Sequence, residues 1–422
     1  MRDERRFLGY LFDRAVAAAQ PANLMPGQLP TPPKGRTVVI GAGKAAASMA
    51  RALEDNWPAT LTGLVITPYQ HRLEGAQIEV LEAGHPVPDA AGRNGARRIL
   101  TMVDNLVEDD LVICLFSGGG SALLSMPAEG ISFNDKQTLT GNLLKSGASI
   151  AEINCVRKHL SAVKGGRLAS ACSPARLVTL AISDVPGNDI SVIASGPTVP
   201  DDTTCRAALD IIHKFKLAAS ENILKRLGNP AAETPKPGDP CFARSESRII
   251  GTAADALSAA ADAARRENIE PLVLGDLTGD AGELANEHAA LAREIASAAG
   301  TVRPPCVLIS GGETTVTVSG NGKGGRNSEY ALALAIALDG HPCIYAIACD
   351  TDGIDGTEDN AGCHVTPDSL ARALELSLDA RALLENNDSY RFFSALGDLV
   401  VTGPTLTNVS DFRAILICPS DR

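Results

Sequence analysis

Residues 37–46 read Thr-Val-Val-Ile-Gly-Ala-Gly-Lys-Ala-Ala. A β-branched run, a glycine turn and an Ala-rich helical pattern follow in immediate succession. This is the opening of a βαβ unit: Val and Ile suit a pleated strand, and the glycines let the chain turn sharply into a helix. The same rhythm runs outward from it. Strands are expected at Leu64–Thr67, Ile78–Glu82, Leu111–Phe116 and Leu177–Ile182, with helices over Lys44–Asp55 and Asp89–Asn105. Leu111–Phe116 is a continuous apolar run, the mark of a strand buried on both faces. Strands that alternate with helices predict a parallel sheet covered on both sides.

Residues 134–172 read as one long helical stretch carrying Arg157, Lys158, Lys164 and Arg167, and helical pattern resumes from Thr204 to Leu227. Residues 228–247 are rich in Pro, Gly, Ser and charge and read as a linker. Beyond it, strands are expected at Arg248–Gly251, Leu272–Leu274, Cys306–Ile309, Thr315–Val318, Cys343–Ala348, Leu399–Thr402 and Ala414–Cys418, and helices at Glu283–Ala299 and Ser328–Leu338. The 422 residues therefore predict an α/β protein of two domains, residues 1–240 and 241–422, with the active site in the cleft between them. Each domain is expected to be a largely parallel sheet flanked by helices, the first of them Rossmann-like. Near the N-terminus, Phe7, Leu8, Leu11, Phe12 and Ala15 recur at helical spacing, so this segment is an amphipathic helix rather than a secretory signal.

Lys and Arg number 38 against 50 Asp and Glu, a net charge of −12. A general nucleic-acid or anionic-membrane binder is thereby excluded, because phosphate surfaces need a positive field. A small anion in a local cationic pocket is not. No apolar run approaches the ~18 residues of a transmembrane helix. Ten cysteines include no CxxC pair, and several lie inside apolar runs. That placement fits buried thiols in a reducing compartment, and the expected location is the cytoplasm. The sequence requires no particular assembly; a homodimer is compatible with it.

Ligands of doubly wound sheets bind beyond the carboxyl ends of the strands, and five turns fall at that edge. Gly41-Ala42-Gly43-Lys44 fits a dinucleotide fingerprint, but the next strand ends in Thr67-Pro68 without the expected carboxylate, and Lys44 suits a phosphoryl or carboxylate group better. The bland alternative for Lys44 is a solvated helix residue. Ser117-Gly118-Gly119-Gly120-Ser121 is a candidate anion nest or a flexible strand–helix turn. Asp184 and Asp189, after the strand ending at Ile182, suit Mg²⁺ or turn capping. The fourth turn holds Glu313 and leads to Arg326 at the start of a hydrophobic helix. A helix N-terminus disfavours cations, so Arg326 points to an anion it can fork onto. Asp350, Asp352 and Asp355 form the fifth, and suit a metal, a base or simple turn chemistry. Anion nests, cations and carboxylates on such edges are what phosphoryl transfer by positioning and electrostatics requires.

The chain resembles the class II glycerate 2-kinases of the MOFRL family, some of whose members are named hydroxypyruvate reductases of tartrate utilisation. The resemblance is carried by GAGKAA (41–46), GHPVPD (84–89), SGGGSALL (117–124), NCVRKHLSAVKGGRLA (154–169), SDVPGNDISVIASGPTVPD (183–201), SGGETTVTV (310–318), GGRNSEYAL (324–332), DTDGIDG (350–356) and PTLTNVSD (404–411). It implies a MOFRL C-terminal domain and phosphorylation of the 2-hydroxyl of D-glycerate by ATP and Mg²⁺. It also implies that Lys44 and Arg326 are the functional cations. Residue chemistry then adds Asp189 as a catalytic group. Gly43, Ser117, Gly118, Gly119, Gly120, Ser121, Lys164, Glu313 and Asn408 would bind substrate or phosphate, and Asp184, Asp350 and Asp352 the metal. His159 reads as structural. Two rivals remain: an NAD(P)H-dependent hydroxypyruvate reductase built on Gly41–Ala46, and a non-catalytic nucleotide or sugar-acid binding protein.

Overall fold

The computed structural model describes residues 3–73, 75, 77–297 and 302–419. It divides into two compact units, Leu24–Ile250, and Met1–Asn23 with Gly251–Arg422.

In the unit 24–250, six strands form one sheet: β1 Thr37–Ala42, β2 Thr62–Pro68, β3 Ile78–Ala83, β4 Leu111–Phe116, β5 Arg176–Ile182 and β6 Ser245–Gly251. Their order is β3-β2-β1-β4-β5-β6, and β3 through β5 pair in parallel. The order reverses between β1 and β4, which makes that crevice the topological switch point. Both strands are buried at every position. Packing them demands glycine: a Cβ on Gly41 would lie 2.2 Å from the Leu115 carbonyl oxygen, and one on Gly43 2.1 Å from Ser117 Oγ. The expected long helix over 134–172 is three helices, Phe133–Lys145, Ile150–His159 and Arg167–Cys172. The second begins afresh because Ser149 and Glu152 form a reciprocal capping box.

The expected linker is part of this unit. Residues 228–247 carry two 3-10 turns and enter β6. Thr234 is buried and donates to Asp201 at 3.0 Å. Pro, Gly and charge mark irregular backbone there, not a domain boundary, and the division falls at 250/251 instead of 240/241.

The expected N-terminal helix forms over Glu4–Ala18 and buries Phe7, Leu8, Leu11, Phe12 and Ala15. It belongs with residues 251–422, not with the segment that follows it. Phe12 meets Phe412 at 5.9 Å, and Arg5 pairs with Asp398 at 2.7 Å. An apolar stripe shows that a helix is covered, but not by which core.

The second sheet corrects the expectation of a parallel one. Its strands are β7 Glu270–Asp276, β8 Cys306–Gly312, β9 Ile344–Asp350, β10 Gly362–Val365, β11 Leu399–Val400 and β12 Asp411–Ile417, in the order β11-β10-β9-β12-β8-β7. Only β7–β8 is a parallel pair; the other neighbours are antiparallel. β12 is buried throughout. Burial on both faces, which its apolar run does encode, is independent of strand direction. The expected strand Thr315–Val318 shrinks to Thr314–Thr315, paired with Gly279–Asp280. The expected helix Glu283–Ala299 forms over Ala281–Ala296, and residues 298–299 lie outside the described residues. Short helices at Ser369–Glu375, Ala380–Glu385 and Ser389–Leu396 carry no individual signal in the sequence reading. Among the described residues no disulfide forms and most of the cysteines are buried, and no described helix is long and apolar enough to cross a membrane.

Candidate functional site

The candidate residues fall into one group per unit. In the unit 24–250, the turns after β1 and β4 interlock at the switch point. Lys44 N–H donates to the Gly118 carbonyl at 2.8 Å, and Ala45 N–H to Ser117 Oγ at 2.9 Å. Two amides at the start of the following helix are therefore consumed internally. The glycines 41 and 43 serve strand packing, not the approach of a dinucleotide pyrophosphate. Thr67, where a dinucleotide site would place a carboxylate, is buried and donates to the Gly43 carbonyl at 3.2 Å. The open groups lie on the second turn: among the described residues, the N–H groups of Gly118, Gly119 and Ser121 have no acceptor. Half-buried Lys44 lies against Gly119, as does the ring of His85, which the sequence reading did not single out. Free amides beside an ammonium group form a nest for an anion.

Gly43 sits at φ +147. Gly43→Ala is expected to displace the Ser117 turn and to lower stability by about 1–3 kcal/mol, the usual range for overpacking and left-handed strain. Urea unfolding checks this; an unchanged midpoint would contradict it.

Lys164 is 1% exposed and donates to the carbonyls of Ser121 at 2.8 Å and Ala194 at 3.3 Å. Ala194 and Ser195 hold left-handed φ values of 51 and 64, an arrangement that costs energy for non-glycine residues and recurs at functional sites. Ser195 Oγ meets Ser121 Oγ at 2.7 Å. Lys164 also lines a cavity of about 120 Å³, with Ser121, Ser125, Lys136 and Arg157 among its walls. Burial, reinforced by Arg157, lowers the Lys136 pKa to about 7. Burial also pulls Lys164 well below its usual value, with Arg157 and Lys136 adding to the effect. The basic cluster seen in sequence thus divides. Lys158 pairs with Asp201 at 3.2 Å, and Arg167 donates to the Ala232 carbonyl at 2.5 Å, whereas Arg157 and Lys164 face the cavity.

Asp184 is half-buried on the turn after β5. Asp189 is exposed and accepts from Ser191 N–H at 2.8 Å, which is turn-capping geometry. His159 is fully buried, its Nδ1 is 2.9 Å from the Cys155 carbonyl, and burial lowers its pKa. With Cys205 and Glu233 it offers three ligand atoms within 4.8 Å, the one such cluster among the described residues. Lys236 Nζ lies 2.9 Å from Glu233, so a cation already neutralises that carboxylate.

In the unit containing 251–422, Arg326 opens the helix Arg326–Leu338. Its Nε meets Asp411 at 2.8 Å, its Nη2 meets Asp350 at 2.7 Å, and its Nη1 faces Glu313 at 3.3 Å. Burial alone would lower its pKa; Asp350, Asp411 and Glu313 more than offset that and raise it. This explains a cation at a helix N-terminus: two buried carboxylates compensate the dipole. β9 and β12 place Asp350 opposite Asp411. Asp411 also binds Arg413 at 2.5 Å and Asn327 Nδ2 at 2.8 Å. The helix is capped by Asp355, which accepts from Asn327 N–H at 2.9 Å and Ser328 N–H at 2.8 Å. Asp352 accepts from Ile354 N–H at 2.8 Å, and buried Asn408 from Ser410 N–H at 3.1 Å. Asp355 was read as one of three acids of its turn, but Asp411 and Arg413 were not singled out in the sequence reading. Asp411 ends the 404–411 motif, which is the signal that could have found it.

The MOFRL family model matches residues 306–411, and a domain of unknown function, DUF4147, matches residues 7–228. The chain is 50% identical over 98% of its length to an Agrobacterium vitis protein provisionally named hydroxypyruvate reductase, covering 94% of that protein. It is 40% identical over 96% of both chains to the D-glycerate 2-kinase of Thermotoga maritima. The crystal structure of Thermotoga maritima glycerate kinase superposes with a TM-score of 0.88 at 38% identity, covering 98% of this chain and 99% of that one. A Pyrococcus horikoshii protein superposes at 0.81 and 35% identity over the whole of both chains. With matches that run through both units, the chain belongs to the class II glycerate kinase family, the MOFRL family.

Proposed function

We propose that this protein transfers the γ-phosphoryl group of ATP, with Mg²⁺, to the 2-hydroxyl of D-glycerate. The observation that carries this reading is the turn Ser117–Ser121 at the switch point, with open amides beside Lys44. Such donors stabilise charge developing on a phosphoryl group. The glycerate 2-kinase names of the Thermotoga and Pyrococcus horikoshii relatives support it. Arg326 has two of its guanidinium nitrogens held by Asp411 and Asp350, and we assign its Nη1 edge to the same transfer. Glu313, exposed at that edge, would be displaced by the anion.

Mg²⁺ needs only one or two carboxylates when phosphate oxygens and water complete its shell. The carboxylates present fit that demand: in the unit 24–250, Asp184 would hold the ion, whereas Asp350 is committed to Arg326. When bound, the ion neutralises charge on the transferred phosphoryl oxygens. Asp189 is exposed and needs only to release one N–H bond to accept the hydroxyl proton. Buried thiols such as Cys114 and Cys349, outside any disulfide, support a reducing compartment, and we infer the cytoplasm.

Phosphorus NMR of a reaction containing D-glycerate and MgATP tests the assignment. A resonance coupled to the C2 proton of the product is expected. NADH oxidation with hydroxypyruvate, without ADP release from glycerate, would establish the reductase reading instead.

A further inference from the structure

We propose that the cavity walled by Lys136, Arg157 and Lys164 binds the carboxylate of the three-carbon acceptor, and so distinguishes a hydroxy acid from a neutral polyol. The proposal rests on the glycerate kinase reading and adds residues to it. Three cations converge on one small cavity, and no carboxylate is among its lining residues. Lys164 and Lys136 are 1% and 5% exposed. Their ammonium groups reach only backbone carbonyls: Ser121 and Ala194 for Lys164, and Met126 at 3.3 Å for Lys136. Among the described residues, the Arg157 guanidinium makes no hydrogen bond or ion pair. Buried like charges destabilise a fold unless an anion compensates them.

The anion proposed is the acceptor's own carboxylate, on the chemistry of the lining residues. A carboxylate brings no metal with it, and the guanidinium of Arg157 can accept it in bidentate fashion. The hydroxyls of Ser121 and Ser125 on the same wall suit an acid with adjacent hydroxyls. Ser121 belongs to the turn whose amides lie beside Lys44, so the cavity and the proposed phosphoryl site share that residue.

The titratable groups facing Lys136 are Arg157 and Lys164, and burial lowers the pKa of Lys164 as well. With its pKa at about 7, Lys136 loses its charge as pH rises through neutrality, and a bound carboxylate restores the proton. Glycerate binding slightly above neutral pH is therefore accompanied by proton uptake.

Calorimetric titration of the full-length protein without nucleotide, using D-glycerate and glycerol, tests this alongside steady-state kinetics. Wild type is expected to bind D-glycerate and not glycerol. Arg157→Met and Lys136→Met are each expected to weaken glycerate binding, and to raise its KM, by about tenfold or more, as for a lost charge-assisted hydrogen bond. The KM for ATP should stay within about twofold. Proton uptake, read from titrations in buffers of different ionisation enthalpy, should fall in Lys136→Met. Unchanged glycerate affinity in correctly melting variants overturns the proposal, as does a rise in the KM for ATP instead. Glycerate that binds in the cavity but is never phosphorylated would retain the inference and overturn the kinase reading.

Discussion

Asp411→Ala is expected to destabilise the unit containing residues 251–422 by about 3–5 kcal/mol, the cost of removing one partner from a buried ion pair. Asp411 is shared: one carboxylate holds Arg326 Nε, Arg413 Nη2 and Asn327 Nδ2. Arg413 is 1% exposed, so its charge cannot find water when the carboxylate is gone. Its remaining partners, the Gly311 carbonyl at 2.9 Å and Thr314 Oγ1 at 3.3 Å, are neutral. Arg326 would keep Asp350, but its fork would lose the group that fixes its Nε side. The variant should show an early unfolding transition in urea and little turnover. Asp411→Asn preserves shape and one acceptor, and should fall between alanine and wild type. A loss under about 1 kcal/mol for alanine would mean that water or relaxation solvates Arg413, as at exposed pairs. The effect would also be absent from Glu313→Ala, because Glu313 is half-exposed at 53% and its contact with Arg326 is screened.

This shared carboxylate shows where sequence reading stops. The turns after β1 and β4 were legible because strand, glycines and helix lie in one continuous segment. Arg326 was legible because a cation at a helix N-terminus breaks a local rule. What compensates it lies 85 residues away on β12, and a lone aspartate after Ser410 carries no spacing signal. The direction of β12 was hidden for a related reason: burial on both faces gives the same apolar run in parallel and antiparallel strands. The helix Glu4–Ala18 gave its buried face in full, yet its partners, Phe412 and Asp398, are set by the tertiary fold. In the unit 24–250, Arg157 and Lys164 were visible as charge. That they share a cavity with Lys136 depends on three helix starts that one long helical pattern concealed.

Lys44→Ala is expected to lower kcat by about two to three orders of magnitude, near the ~2.7–4 kcal/mol that follows loss of an oxyanion donor. The backbone reason for expecting a clean kinetic effect is specific. Lys44 contributes to the fold through its amide, which donates to Gly118, and alanine keeps that bond. The side chain is half-buried, with its Cγ against Gly119, so truncation removes a stem that covers the turn as well as the charge. Urea unfolding of the same variant separates lost rate from lost fold. Lys44→Arg tests the geometry: a planar fork cannot replace a compact ammonium at a nest of three amides, and it should recover little of the rate. Lys44→Gln keeps length and a donor but no charge, and should lie nearer alanine than wild type. If the ammonium acts on the developing phosphoryl charge, kcat and kcat/KM for glycerate fall together. A rise in the KM for glycerate at constant kcat would instead make Lys44 a ground-state binder of the acid. Wild-type kcat in Lys44→Ala would remove it from the chemistry and leave the amides of Gly118, Gly119 and Ser121 as the donors at this turn.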